Sequence, residues 1–234
     1  MNVLGIIPAR YGSSRFPGKS LALIQGKPMI QYVYENASKC GSLSDLIVAT
    51  DDLRIFEVVK SFGGKVMMTS KDHTNGSERC NEILKKLEYE PQILINIQGD
   101  QPFIQAAHIQ EVIDCFKEYP KAEITTLVKE ITDNKELKDN NIVKANIYDD
   151  NRIKNFSRNS FLDPKSPTNY KHIGIYGFKP NTLHKLAVLR VSSNEINEKL
   201  EQLRWLDNGY SIYYKTTDLD SIAIDSPKDL EIFH

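Results

Sequence analysis

Cysteine is scarce in this chain of 234 residues, and the three present, Cys40, Cys80 and Cys115, lie far apart. An odd count with no CxxC pair and no metal-ligand spacing argues against a disulfide framework or a thiolate metal site. They read as free thiols in packing roles. An excess of charge is also missing: 30 basic and 31 acidic side chains leave a net charge of −1. That argues against broad attachment to nucleic acid or to an anionic membrane, so neither is an expected partner. A locally basic pocket stays open. No apolar run approaches the roughly 20 residues that span a bilayer. The start, Met1-Asn2-Val3-Leu4, lacks a basic n-region and a cleavage site, so the cytoplasm is the expected location. No repeat and no low-complexity segment occurs. The phosphate motifs with fixed spacing are absent too. A Walker loop ending at Gly18-Lys19-Ser20 needs a glycine where Ser13 stands, and no G-x-G-x-x-G is found. No Ser-His-Asp set or reactive cysteine is evident.

What is present begins with an apolar run, Val3 to Ile7, that stops abruptly. The next stretch, Arg10 to Lys19, holds three cations, two glycines and two serines in ten residues. Cations this dense after a buried first strand suit a polyphosphate: the charges neutralise it, and glycines let backbone N–H groups approach closely. Arg10 and Arg15 can clamp phosphates in a bidentate way, and Lys19 can follow charge as it builds during phosphoryl chemistry. The bland alternative is a solvated basic turn.

With 40% apolar residues the chain can bury a core of ordinary size, and its length permits one α/β domain or two small ones. The first half alternates two periods. Strands are expected at Val3–Ile7, Leu46–Thr50, Lys65–Met68 and Ile93–Ile97. Helices are expected at Met29–Ser38, Ile55–Phe62, Ser77–Leu87 and Ala106–Phe116, with Gly63-Gly64 stopping the second. Strand and helix in turn with short connections imply an α/β fold with a doubly wound, mainly parallel sheet. Ligands of such sheets bind outside the carboxyl ends of the strands. The first loop, Asp51-Asp52 and Gln98-Gly99-Asp100 fall there and are expected to meet in one crevice.

The second half reads differently. Strands are expected at Ile124–Val128, Ile142–Ile147, Ile153–Phe156 and His172–Phe178, separated by turn-rich pieces. This looks like a small antiparallel insertion, not a separate domain. A helix is expected from Glu195 to Asp207, stopped by Asn208-Gly209, then a strand at Ser211–Tyr214. Asp225 is expected at the end of a further apolar strand, before a short helix capped by Ser226 with Pro227 at its first position.

Several side chains admit two readings. Asp100, straight after a buried strand and beside Gly99, presents either a Mg²⁺ ligand near phosphates or a turn carboxylate. Asp225 reads as a second metal carboxylate or as a cap. Ser77-Glu78-Arg79 opens a helix, either as a cap with an exposed ion pair or, with Gly76, as a ligand contact. His172 and Tyr176, four apart on a strand, share a face. Glu195, Glu198, Glu201 and Gln202 form a polar stripe on one helix. The apolar residues around Glu201 half-bury it, and a half-buried carboxylate wants a partner.

These motifs together resemble the CMP-Kdo synthetases, the 3-deoxy-manno-octulosonate cytidylyltransferases. The resemblance rests on Ile7 to Lys19, Ala49 to Asp52, Asn75 to Arg79, Asn96 to Asp100, Phe156 to Arg158, His172 to Gly177, Leu200 to Arg204 and Asp225 to Leu230. It runs from residue 3 to about 230. It implies a nucleotide-diphospho-sugar transferase-like fold and a single domain over 1–234. It also implies homodimers formed through an insertion at about 140–180. The implied reaction joins CTP and Kdo (a sugar acid) to give CMP-Kdo and pyrophosphate for lipopolysaccharide assembly. By the same resemblance Asp100 and Asp225 hold Mg²⁺, and Lys19, Arg10 and Arg15 serve the phosphates. Ala9, Gly76 and Ser77 contact the cytidine, while Gln98, Arg158, His172, Tyr176 and Glu201 hold the sugar acid. Gln101 departs from the pattern: many members carry Glu there, and Gln occurs in a subgroup resembling enzymes for the 8-amino analogue of Kdo. Other acidic sugars, or a non-catalytic nucleotide-binding module, are the competing readings.

Overall fold

The structure, a computed structural model, describes residues 1–12, 16–159 and 169–231. It divides into two compact units. The first comprises Met1–Gln110 with Ser221–His234, and the second Glu111–Asp220.

The first unit opens with β1 (Val3–Ala9), whose Val3, Leu4, Ile6 and Ile7 are all buried. An unbroken apolar run suits a strand covered on both faces, as parallel strands are. A short 3₁₀ turn at Lys19–Leu21 and a small hairpin follow, β2 (Leu23–Ile24) and β3 (Lys27–Pro28). The hairpin's two turn residues, Gln25 and Gly26, both adopt positive φ (49° and 81°), as a type I′ turn requires. Then come α1 (Met29–Ser38), β4 (Asp45–Thr50), α2 (Leu53–Ser61), β5 (Val66–Met68), α3 (Gly76–Lys86), β6 (Ile93–Ile97) and α4 (Ala106–Glu118), whose residues from Glu111 on count with the second unit. The strands lie in the order β6-β1-β4-β5 and all pair in parallel. The expected doubly wound pattern is therefore what forms here.

The second unit contains β7 (Ile124–Glu130), α5 (Asn134–Lys138), β8 (Lys144–Ile147), β9 (Ile153–Ser157), β10 (Tyr170–Phe178), α6 (Pro180–Leu186), α7 (Ser193–Glu198), α8 (Gln202–Asp207) and β11 (Ile212–Thr216). β11 runs parallel to β7. β10 pairs antiparallel with both β7 and β8, and β8 pairs antiparallel with β9. The chain then returns to the first unit and ends in α9 (Lys228–Glu231).

Three expectations fail. The helix expected over Glu195–Asp207 is broken into α7 and α8, because Lys199 takes a left-handed conformation (φ 56°) and its N–H turns back to the Glu195 carbonyl at 2.7 Å. The polar stripe therefore does not exist as one face. No strand forms before Asp225. Instead the Ile224 N–H donates to the Asp100 carbonyl at 2.8 Å, a single bond where a ladder was expected. Finally, Ser226 does not accept a helix N–H through its side chain. Its hydroxyl and its N–H both donate to Asp229, whose carboxylate also takes the Asp225 N–H. This is the returning half of a capping box.

Candidate active site

The end of β1 and the end of β6 lie side by side, since Val3 to Ile6 pair with Ile93 to Asn96. Just past these ends the backbones come close: a Cβ on Gly99 would sit 2.8 Å from the Pro8 carbonyl oxygen. Only glycine lets Gln98-Gly99-Asp100 lie against β1 in this way. The loop after β1 is closed by the Gly18 N–H donating to the Tyr11 carbonyl at 2.8 Å. Gly18 has φ 72°, and a Cβ there would lie 2.9 Å from the Tyr11 ring. Tyr11 is in turn covered by the Arg54 guanidinium, 3.3 Å from the ring centroid. The turn thus delivers Lys19 to one place. Ser13, Ser14 and Arg15 lie outside the described residues, so the expected phosphate contact of Arg15 falls there as well.

Lys19 Nζ donates to Asp100 Oδ2 at 2.6 Å and lies 3.5 Å from Asp225 Oδ1 and 3.3 Å from the Ile224 carbonyl. Asp225 arrives because its neighbours are apolar. Ile224 and Leu230 pack with Ile24 and Met29 against Phe16, Tyr32 and Phe103. Full burial of Ile224 contributes roughly 1.5–3 kcal/mol to holding this segment down. One ammonium is thereby shared between two carboxylates that remain 26% and 35% exposed.

These groups face a cavity of about 260 Å³ lined by Pro8, Ala9, Arg10, Lys19, Ser20, His73, Thr74, Asn75, Gly76, Arg79, Gln98, Gly99, Asp100 and Asp225. Of the residues singled out from sequence, Ala9, Arg10, Lys19, Gly76, Gln98, Asp100 and Asp225 come together here. Ser77 is buried next to Gly76, and its hydroxyl has no partner. Asp51 and Asp52, expected in the crevice, do not line it. Asp51 pairs with Arg79 at 3.0 Å, and Asp52 caps α2 through the Arg54 N–H and pairs with the Arg54 guanidinium. Arg79 is accordingly no exposed ion-pair partner: it is 2% exposed and also bonds Thr69 and the Ser70 carbonyl. The cap of α3 is Asn75, which accepts from the Glu78 N–H at 2.8 Å. Sequence reasoning missed His73, Thr74 and Ser20. His73 had a signal, standing three residues before a glycine that opens a helix.

The donor set bears on a metal. Among the described residues no group of three or more His, Cys, Asp or Glu stands ready to hold one. Two carboxylates on a polar cavity are nevertheless what Mg²⁺ uses when phosphate oxygens and waters complete its shell. The residues present fit such an ion.

Arg158, His172, Tyr176 and Glu201 belong to the second unit. Register along β10 breaks between Ile173, opposite Leu127, and Tyr176, opposite Thr126. This bulge brings the His172 and Tyr176 rings to 5.1 Å, where a regular strand would separate positions four apart by roughly 13 Å. Thr126 Oγ1 donates to the Ile175 carbonyl at 2.7 Å, so at 2.9 Å it accepts from His172 Nε2, which carries the proton. Burial pushes the His172 imidazole down to about 3. Burial, reinforced by Glu201, pushes the Tyr176 hydroxyl well above its ordinary value. The Tyr176 hydroxyl and the Trp205 indole N–H, on rings 5.0 Å apart, are both buried without a partner. Arg158 directs Nε to the Glu198 carbonyl and Nη1 to those of Asn140 and Asn141. Glu198 binds Ser157 and the Arg158 N–H, while Glu195 forms a two-pronged pair with Arg204, both contacts at 2.6 Å.

A lysine held between two carboxylates, beside the ends of the parallel strands β1 and β6, suits a site that handles phosphates, as nucleotidyl-transferring enzymes need. The comparisons narrow it: the sequence pattern of the cytidylyltransferases matches residues 4–217, and the chain belongs to that family. A 3-deoxy-manno-octulosonate cytidylyltransferase of Bacteroides thetaiotaomicron is 45% identical, over 99% of this chain and 96% of its own length. An 8-amino-3,8-dideoxy-manno-octulosonate cytidylyltransferase of a Shewanella species, strain ANA-3, is also 45% identical, over 98% and 96%. The solved structure of a CMP:2-keto-3-deoxy-manno-octonic acid synthetase complexed with CTP superposes with a TM-score of 0.92 at 36% identity. It covers 99% of this chain and 96% of that one. No described helix is long and apolar enough to cross a membrane.

Proposed function

We propose that this chain transfers the cytidylyl group of CTP to a 3-deoxy-octulosonic acid, giving the CMP-sugar and pyrophosphate for lipopolysaccharide assembly. The observation that carries the reading is Lys19 held between Asp100 and Asp225 in a cavity that Ala9, Arg10 and Gly76 also line. The anomeric hydroxyl oxygen of the sugar bonds to the α-phosphorus, the bond to the bridging oxygen breaks, and pyrophosphate leaves with the hydroxyl proton lost to solvent. Such displacement needs positioning and countercharge more than covalent help. Lys19 supplies a mobile cation, Arg10 a second one at the rim, and Gly76 and Ser77 a close backbone approach for the cytidine. Asp100 and Asp225 would hold Mg²⁺, which when bound neutralises phosphate charge. Gln98, Arg158, His172, Tyr176 and Glu201 are assigned to the sugar acid.

The whole chain is read as one catalytic domain of a cytoplasmic homodimer that associates through residues at about 140–180. A molecular mass of one chain in sedimentation at micromolar concentration would remove the dimer from this reading. A second sugar is kept in view, the 8-amino analogue, because relatives named for either substrate are equally similar at 45%. Pyrophosphate release from CTP with Mg²⁺ decides among these, using Kdo, its 8-amino analogue and sialic acid as acceptors. The expected result is turnover with an octulosonate. Sialic acid outpacing both octulosonates would overturn the sugar class, and CTP binding with no release from any acceptor would make the chain a binding module.

A further inference from the structure

One wall of the cavity is His73 to Gly76, the end of a connector from Thr69 that α3 holds with three side chains. Arg79 bonds Thr69 Oγ1 and the Ser70 carbonyl. Glu78 takes the Thr74 N–H at 2.8 Å and lies 3.9 Å from His73 Nδ1. Glu82 takes the Ser70 N–H at 2.8 Å and hydrogen-bonds His73 Nε2 with the same oxygen. Its other oxygen pairs with the exposed Lys86 at 2.6 Å. His73, Thr74, Asn75 and Gly76 then line the cavity in succession.

We propose that His73 is a nucleotide-contacting residue and that Glu82 is the positioning residue that presents it. The inference rests on the reading that the cavity takes CTP. With Nε2 engaged by Glu82 and Nδ1 3.9 Å from Glu78, the ring cannot rotate freely and is held in place as part of the cavity lining. Burial by itself would raise the Glu82 carboxyl, but hydrogen bonds from Lys86, Ser70 and His73 outweigh it and hold it down at about 2. The acceptor for His73 is therefore ionised throughout the physiological range. A contact of this kind acts on nucleotide binding in ground and transition state alike, so its loss raises KM and spares kcat.

The test uses the full chain and two readouts: CTP affinity by calorimetry without sugar, and KM and kcat from pyrophosphate release. Glu82→Gln is expected to weaken CTP binding about tenfold, the size of one lost charge-assisted hydrogen bond. The KM for CTP should rise in step, with kcat and the KM for the sugar within about twofold. His73→Ala should do the same, and adding Glu82→Gln to it should cost little more, because Glu82 acts through His73. Lys86→Ala removes the exposed partner of Glu82, on its other oxygen, and should leave CTP affinity unchanged. Unweakened binding in Glu82→Gln would overturn the proposal, as would equal losses with and without His73, or a matching loss in Lys86→Ala. Because affinity is read without turnover, a wild-type chain that binds CTP but releases no pyrophosphate counts against the proposed function alone.

Discussion

The two units use charge in opposite ways. In the first, one ammonium serves two carboxylates, at 2.6 Å and 3.5 Å, and all three side chains keep partial access to solvent. In the second, Arg204 is 3% exposed and grips both oxygens of Glu195, while Lys144, 1% exposed, sits between the carbonyls of Asp139 and Arg158. The second pattern is closed at these two residues: the Arg204 guanidinium and the Lys144 ammonium are both taken up by protein oxygens. The first is open: two part-exposed carboxylates share the Lys19 ammonium beside a cavity that can admit a further cation. Uneven pairing next to space marks chemistry here, and saturated pairing in the interior marks architecture.

That contrast breaks most sharply at Asp100. Asp100→Asn and Asp225→Asn should each lower pyrophosphate release by roughly 10²–10³-fold with only modest loss of CTP affinity. Near wild-type turnover at saturating Mg²⁺ in either variant would remove its metal role. The saturated side fails differently. Arg204→Met leaves a half-buried Glu195 without this partner and should cost about 2 kcal/mol in urea unfolding. A loss below 1 kcal/mol would show that the pair is dispensable to the fold. The pH dependence sharpens the comparison further. Folded, His172 stays neutral down to about pH 3; unfolded, it takes a proton near 6.5. Its stabilising effect is therefore complete above about 6.5 and falls as pH drops toward 3, by about 1.4 kcal/mol per unit. His172→Gln should flatten the fall in unfolding free energy between pH 6.5 and 5. The smallest effect is expected at Asp52, whose carboxylate accepts the Arg54 N–H at 2.9 Å. Asp52→Ala should cost about 1 kcal/mol of stability and leave turnover unchanged, since this acid caps a helix and does not line the cavity.

Much of the first unit was legible in the chain. Buried parallel strands announce themselves as unbroken apolar runs, and Val3–Ile7 and Ile93–Ile97 do so without ambiguity. The polar residues that follow such runs had to gather at one edge, so Lys19 and Asp100 were within reach of inference. Asp51 was not. Its position after β4 made it look like a ligand, but its partner Arg79 stands 28 residues on, and only the fold shows that the two neutralise each other. The break at Lys199 was hidden for another reason: apolar residues keep helical spacing across it, and a left-handed lysine leaves no mark in composition. The bulge in β10 is equally silent, although it decides how close His172 and Tyr176 come. Local pattern reveals the elements; pairings between distant side chains and single backbone reversals depend on tertiary context.

The return of the chain to the first unit at Ser221 has a consequence for biosynthesis. Lys19 and Asp225 are 206 residues apart, and the segment carrying Asp225 docks through Ile224 and Leu230. A nascent chain still on the ribosome can form β1, β4 and β6 and set Lys19 beside Asp100 long before Asp225 emerges. Its cavity would then be a single-carboxylate site. The second acid thus joins the site only once the segment from Ser221 has emerged, and a chain cut before Ser221 would lack it.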